Sequence, residues 1–198
     1  MDSLSELFDS PLLTEARSRD AAGIFQARVE KGADVNATRE GYGDTPLMIA
    51  VALQRMEAVK LLLSRGADIR AKDADDKSVL HLFLCNTFSK MENTKLLALL
   101  LNKGADYDGQ AKSLVGFKDN STPLICAVQR NFQKSVNILL ARRPDVNRRD
   151  QDGHTARYYA VSENNVAMVD VLLGHGADPT LDAELKREAQ LKTEIGRL

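Results

Sequence analysis

Gly66-Ala67-Asp68-Ile69-Arg70 is the stretch that decides the fold, because the chain repeats it with changes. The other copies are Gly32-Ala33-Asp34-Val35-Asn36, Gly104-Ala105-Asp106-Tyr107-Asp108, Arg143-Pro144-Asp145-Val146-Asn147 and Gly176-Ala177-Asp178-Pro179-Thr180. Successive copies are 34 (32 to 66), 38 (66 to 104), 39 (104 to 143) and 33 residues apart (143 to 176). A recurring period near 33 residues indicates a stack of similar units. We call these five copies the Gly-Ala-Asp motif.

Residues 39–70 form the cleanest unit. A turn with two glycines at 39–44 precedes Thr45-Pro46, which opens a helix, since Thr caps N–H groups and Pro needs none at the first helical position. A second helix is predicted at about 56–64, and Gly66 ends it in a left-handed conformation. We expect Asp68 to accept hydrogen bonds from the backbone of the following turn.

This unit resembles an ankyrin repeat. The resemblance rests on Thr45-Pro46-Leu47-Met48-Ile49-Ala50, followed at a fixed offset by 59–68, and the two-part pattern recurs along nearly the whole chain. It implies an all-α repeat fold, an ankyrin solenoid of stacked helix-turn-helix units joined by β-hairpin-like loops.

The motif divides the chain into seven segments. They are an N-terminal arm or cap (1–10), repeat 1 (11–38), repeat 2 (39–72), repeat 3 with an insertion (73–110), repeat 4 after a long hairpin (111–149), repeat 5 (150–180) and a C-terminal amphipathic helix (181–198). We expect that helix to cap the last repeat, with a partner-binding helix or a dimer seam as alternatives.

Three departures from the regular pattern lie near the centre. Thr45 to Gly66 is 21 residues and Ser78 to Gly104 is 26, so five extra residues lie between the helices of repeat 3. The hairpin that follows is also long, and its insertion at 109–117 is predicted either to reach a partner or to pack on repeat 3. Arg143 replaces glycine at a helix end, where a positive φ costs a non-glycine residue about 1 kcal/mol.

The composition of the chain argues against several classes of function. The net charge is −1 and the pI is about 6.3, which argues against non-specific nucleic-acid binding. The longest apolar runs are only a few residues, so we expect no membrane insertion. Two cysteines, Cys85 and Cys126, are too few for a disulfide framework. We therefore expect buried thiols and a location in the cytoplasm, with the nucleus as a further location. We also expect a monomer.

Neither an active site nor a metal site is predicted. The three histidines, His81, His154 and His175, lie in different units, and no cysteine or histidine pair has metal-ligand spacing. The resemblance implies that His81 bonds a neighbouring loop. We expect a protein that is not an enzyme and uses no cofactor.

Stacked units bury a continuous core, because one unit cannot cover its own apolar face. The predicted spine of that core consists of Leu62, Leu63, Leu97, Leu100, Leu139, Leu140, Leu172 and Leu173.

The resemblance also implies a concave side, made of hairpins and first helices, that binds a protein partner of mixed charge. The residues predicted there are Tyr42, Asp44, Leu53, Asp75, Lys77, Asn86, Lys118, Asp119, Ser121, Gln129, Arg130, Gln151, Asp152, His154, Ser162 and Glu163, with Leu114 and Phe117 of the long hairpin as further candidates. Tyr42 and Arg130 are the expected anchors, since Tyr and Arg are favoured in interfaces.

The predicted function is an adaptor or inhibitor inside the cell. The alternatives are a microbial effector acting on a host protein and a targeting module of a larger enzyme.

Asn36 and Asn147 follow Asp-Val after a leucine-rich helix. Such an asparagine can be hydroxylated in ankyrin proteins, so the resemblance permits that modification here. The alternative is that each asparagine only forms hydrogen bonds in its hairpin.

Overall fold

The computed structural model describes residue 32 and residues 34–85, 91–112 and 118–181. The predicted arm, most of repeat 1 and nearly all of the C-terminal helix lie outside these residues. Within them the chain forms eight helices. They are α1 (Pro46–Ala52), α2 (Met56–Ser64), α3 (Val79–Leu84), α4 (Thr94–Asn102), α5 (Pro123–Gln129), α6 (Gln133–Leu140), α7 (Ala156–Ser162) and α8 (Val166–Gly174).

The helices form two layers of a stack. Each unit pairs a first helix with a second one: α1 with α2, α3 with α4, α5 with α6 and α7 with α8. The first helices also contact one another in the order α1, α3, α5, α7, and α4 contacts α6. This arrangement confirms the predicted all-α solenoid.

A threonine cap starts the first helix in three of the described units. The hydroxyls of Thr45, Thr122 and Thr155 accept hydrogen bonds from the backbone N–H three residues later, at 3.3, 3.2 and 3.2 Å. Pro46 and Pro123 follow two of these caps, where no N–H is required. The helices are short, so the cap recovers one of the few donors that the first turn leaves unpaired.

The Gly-Ala-Asp motif ends each second helix. Gly66 and Gly104 have φ of 85° and 90°, which confirms the left-handed conformation predicted for Gly66. Arg143 adopts the same conformation with φ of 55°, although it is not glycine. The Asp68 carboxylate accepts a 2.8 Å hydrogen bond from the Arg70 N–H, which confirms the predicted turn.

The fifth residue of each described motif copy bonds the next copy. Asn36 accepts from the Asp68 N–H at 2.8 Å, and its amide donates to the Gly66 carbonyl at 3.2 Å. Asn147 repeats both bonds with Asp178 and Gly176, at 2.8 and 3.0 Å. Between these junctions, Arg70 Nε donates to the Gly104 carbonyl and Asp108 accepts from the Asp145 N–H. The motif therefore joins each unit to the next as well as ending a helix.

The leucine spine is largely as predicted. Leu62, Leu97, Leu100, Leu139 and Leu172 are fully buried, and Leu140 is 2% exposed. Leu63 is half-buried. Leu173 is the exception at 39% exposed, so its place in the spine was wrong.

Leu100→Ala tests the spine at a site between two units. Leu100 is completely buried, so we expect the free energy of unfolding to fall by about 2–5 kcal/mol, which combines lost burial with the cavity left behind. Urea unfolding followed by circular dichroism measures the change. Lys95→Ala on the exposed side of α4 is the control and should change stability by less than about 0.5 kcal/mol. Equal losses in the two variants would contradict this packing.

Candidate functional site

The hairpin tips of successive units are hydrogen-bonded in series. The Ala74 N–H donates to the Tyr42 carbonyl at 3.0 Å, and the Lys112 N–H donates to the Asp75 carbonyl at 2.7 Å. The Gln151 N–H completes the series by donating to the Asp119 carbonyl at 2.8 Å. We define the hairpin face as the surface formed by the four tips together with α1, α3, α5 and α7. The tips are 39–44, 73–77, 111–112 with 118–121, and 150–154, and the Asn120 N–H donates to the Ala111 carbonyl at 2.7 Å within the third. The backbone of the hairpin face is fixed by these bonds.

His81 ties the third unit to the fourth beneath this face. The Ser78 N–H donates to Nδ1 at 3.2 Å, which leaves the proton on Nε2, and Nε2 donates to the Ser121 carbonyl at 3.2 Å. The predicted bond to a neighbouring loop is thus confirmed. The histidine is fully buried, and burial lowers its pKa to about 4. Ser121 was predicted to be exposed, and this was wrong: the serine is fully buried at the same junction.

Tyr42 stands at one end of the hairpin face. Its side chain is 63% exposed, and the Arg39 guanidinium lies 3.9 Å from the centre of its ring. Arg39 also forms a 3.0 Å ion pair with Asp44. The structure therefore places two of the predicted residues together, with Arg39 between them as a member that the sequence did not single out.

Asp75 and Lys77 are paired at the second tip. Lys77 Nζ lies 2.8 Å from Asp75 and 3.6 Å from Asp73, which is more buried. Burial raises the pKa of Asp73 against the opposing effect of its hydrogen bonds and of Lys77. Burial also disfavours the charged form of Lys77, which by itself would lower its pKa. The combined effect of Asp75 and Asp73 is larger, so the pKa of Lys77 is raised. Most charge at this tip is neutralised within the tip itself.

Lys118 and Asp152 form an ion pair between the third and fourth tips, at 2.7 Å. Their mutual hydrogen bond raises the pKa of Lys118 and lowers that of Asp152, so both stay charged across the neutral range. Asp119 and Gln151 are neighbours through the backbone bond described above. The structure thus brings four of the predicted residues together as two neighbouring pairs across a unit boundary.

An aromatic cluster closes the other end of the face. The His154 ring stacks on Tyr158 at 3.7 Å, and Tyr159 meets both rings edge-on. The Tyr159 hydroxyl donates to the Asp150 carboxylate, and burial together with this bond raises the pKa of the tyrosine. Tyr158 and Tyr159 were outside the predicted set. The sequence does mark them, because both tyrosines stand where the second unit has core residues. The equivalent positions there are Met48 and Ile49, which are buried.

Gln129 and Glu163 line one cavity between the fourth and fifth units. The cavity has a volume of about 190 Å³ and reaches Val128, Ala160 and Met168, all of which are buried. Gln129 Oε1 is buried and has no hydrogen-bond partner in the described part of the chain. The cavity therefore combines apolar walls with an acceptor and a carboxylate.

The remaining predicted residues divide into three groups. Arg130 is half-buried, with its guanidinium 4.9 Å from the centre of the Phe132 ring, and burial lowers its pKa. Leu53 is partly buried against the core, so it serves packing as well as the face, whereas Ser162 is exposed. Asn86, Leu114 and Phe117 lie outside the described residues, so their placement stays a prediction.

Cys85 and Cys126 form a disulfide, which corrects the expectation of buried thiols. Both are buried, as expected, but they face each other across α3 and α5, with Cα atoms 5.3 Å apart. The first helices of adjacent units contact one another, and this contact brings together two residues that are 41 positions apart. Counting cysteines could not reveal the pair. Placing both on first helices of successive units could have done so.

Asn36 and Asn147 use their side chains to bond the following unit, so the bonds extend beyond the hairpin in which each lies. Their hydroxylation stays a prediction, because these contacts do not test it.

In the part of the chain that the structure describes, no cluster of three or more His, Cys, Asp or Glu side chains is arranged to hold a metal ion. None of the described helices has the length and apolar character to cross a bilayer.

Comparison with known proteins adds a family match. A family model described as "Ankyrin repeats (3 copies)" matches residues 12–111 and 85–183. Neurogenic locus notch homolog protein 2 of Homo sapiens is 30% identical over 158 residues, which is 80% of this chain and 6% of that protein. Neurogenic locus notch homolog protein 1 is 29% identical over 159 residues in Cricetulus griseus, with the same coverage, and 28% identical over 167 residues in Danio rerio, covering 84% of this chain. The chain thus spans about 6% of the length of these relatives.

Because His81 is buried in its neutral form, we expect the free energy of unfolding to depend on pH in a specific way. Its pKa is about 4 when folded and near 6.5 when unfolded, so between these values the unfolded chain binds a proton that the folded chain does not. Stability that is present above about pH 6.5 is lost as the pH falls towards 4. The expected contribution of His81 to this loss is about 3 kcal/mol.

Urea unfolding of the wild type and of His81→Gln at about pH 7 and about pH 4.5 measures this contribution. Carboxylates titrate in both proteins, so the variant should lose about 2–3 kcal/mol less on acidification than the wild type does. The same loss of unfolding free energy in both proteins would show that His81 is not buried in its neutral form in the folded chain.

Proposed function

Because the chain belongs to the ankyrin-repeat family, we propose that it is a non-catalytic module that binds a protein partner through its hairpin face. Ankyrin repeats generally mediate protein–protein interaction. The finer proposal is an adaptor or inhibitor that acts inside the cell by occupying its partner. We further propose that it is a monomer located in the cytoplasm, with the nucleus as a further location.

The observation that carries the proposal is the fixed backbone of the hairpin face. The tips are hydrogen-bonded to one another through main-chain groups, as in the bond from Ala74 to Tyr42. The fold therefore does not require the exposed side chains, such as those of Tyr42 and Gln151, and they are available to recognise a partner. A preorganised surface also loses little conformational entropy on binding.

Charge on the hairpin face supports a partner of mixed charge. Lys77 is paired with Asp75 and Lys118 with Asp152, so neither sign dominates the tips. Such a surface gives specificity through matched local charges and does not steer partners over long distances. Aromatic groups at the two ends, Tyr42 and the His154 cluster, supply the apolar contact area that interface anchors need.

The cavity between the fourth and fifth units suits a lysine side chain of the partner. Val128, Ala160 and Met168 provide apolar walls for the aliphatic stem. Glu163 also lines the cavity, and its carboxylate is an acceptor for an ammonium group.

Tyr42→Ala tests the hairpin face. The tyrosine is 63% exposed, so its loss should leave the melting temperature nearly unchanged while weakening binding by about tenfold or more, as expected for an interface anchor. The binding partner is the protein that co-purifies with the tagged chain from its native extract, and calorimetry with the purified pair gives the affinity. Val166→Ala, at the start of α8 and 70% exposed, removes a comparable apolar group outside this face. Equal affinities in Tyr42→Ala and wild type would refute the placement.

Glu163→Gln tests the lysine-binding cavity. The change keeps the shape of the side chain and removes its charge, so we expect binding of the same partner to weaken roughly two- to fivefold, and less at high salt. Glu57→Gln on exposed α2 is the matched control and should leave the affinity unchanged. If the two variants lose affinity to the same extent, the cavity is not a charge-selective subsite.

A further inference from the structure

The Cys85–Cys126 disulfide joins two different structural units. Cys85 is the residue that caps the C-terminal end of α3, and Cys126 lies in the middle of α5. The bond therefore spans the boundary between the third and fourth units, where coupling in a stacked fold depends on neighbour-to-neighbour contacts. We propose that this pair is a reversible redox site: oxidation locks the two units together, and exchange with a thiol such as glutathione releases the lock.

The first argument is that the boundary does not need the bond in order to be packed. Leu80, Leu84 and Leu124 are buried between the same helices, and the His81 bond to the Ser121 carbonyl crosses the same boundary. Free cysteine behaves as a small hydrophobic residue, so two thiols suit this environment as well. The positions agree with this, since the residues equivalent to Cys85 and Cys126 in the second unit are Ala52 and Ile49. Both redox states are therefore compatible with the fold.

The second argument is that the two cysteine residues differ in exposure and in their position on the helices. Cys126 is completely buried inside α5, whereas Cys85 is 7% exposed and lies at a helix end. A helix end opens more readily than a helix interior does. An external thiolate therefore attacks Cys85 Sγ, and Cys126 is the leaving group.

Reduction of the disulfide by glutathione takes two steps, and atoms and electrons balance in each. Attack by the first glutathione thiolate breaks the S–S bond, forms a mixed disulfide at Cys85 and releases Cys126 as a thiolate, which takes up a proton. A second glutathione thiolate attacks the glutathione sulfur of the mixed disulfide, which releases Cys85 as a thiol and forms oxidised glutathione. Two electrons and two protons pass to the protein, and two glutathione molecules are oxidised. The reverse steps restore the lock.

The lock acts on a segment that also belongs to the hairpin face. The Arg130 N–H donates to the Cys126 carbonyl at 3.0 Å in the last turn of α5, and Gln129 precedes it in the chain. A covalent link at Cys126 therefore restrains the helix end that carries both residues. The redox site itself does not depend on the identity of any partner, and its test uses the chain alone.

The first experiment equilibrates the native wild type with glutathione buffers and counts thiols by alkylation and mass spectrometry. We expect two blocked thiols in excess reduced glutathione and none in excess oxidised glutathione. Acid quenching during reduction should trap glutathione on the peptide that contains Cys85 and not on the one that contains Cys126. Three results would overturn the proposal: two free thiols in both buffers, a disulfide that is reduced only after denaturation, or trapping at Cys126.

The second experiment measures hydrogen exchange of the oxidised and reduced wild type. Oxidation should slow exchange in α3 and α5 by about tenfold or more and leave α1 and α2 almost unchanged. The double variant Cys85→Ser/Cys126→Ser is the control and should match the reduced wild type in both buffers. Identical exchange in the oxidised and reduced wild type would show that the bond does not lock the boundary.

Discussion

The structure depends on one constraint: a pair of short helices cannot bury its own apolar face. The second helix α4 illustrates it, because its Leu97 and Leu100 are fully buried and the helix contacts both α3 of its own unit and α6 of the next. The first helices, of six or seven residues, are too short to be stable alone in water, and their burial between neighbours compensates. Stability is therefore shared among units, and every junction between them matters as much as any single helix.

Those junctions are built from polar groups as well as leucines. Each described copy of the Gly-Ala-Asp motif bonds the next through its fifth residue, as Asn36 does with Asp68. The hairpin tips repeat the linkage through main-chain groups, and His81 adds a bond between the third and fourth units from below. These contacts fix the backbone of the hairpin face, so that its exposed side chains can vary without loss of the fold.

The local features could be predicted from the sequence because their causes lie within a few residues. The Thr45 cap, the bounds of α2 and the positive φ of Gly66 all depend on neighbours in the chain. The errors involve contacts between units. Ser121 was placed on the surface although it is buried at the His81 junction, and Cys85 was read as a thiol although Cys126 of the next unit faces it. The aromatic cluster lies within the fifth unit, but the cavity requires the relative positions of two units, which no local pattern specifies.

Site-specific photo-crosslinking is the most direct test of the binding face. A photoreactive amino acid replaces Gln151 at an exposed hairpin tip in one protein and Lys60 on the exposed side of α2 in another. Both proteins are irradiated in native extract, and the crosslinked proteins are identified by mass spectrometry. The account predicts one partner crosslinked in high yield from position 151 and absent at position 60. Crosslinking of the same partner from position 60 and not from position 151 would contradict it.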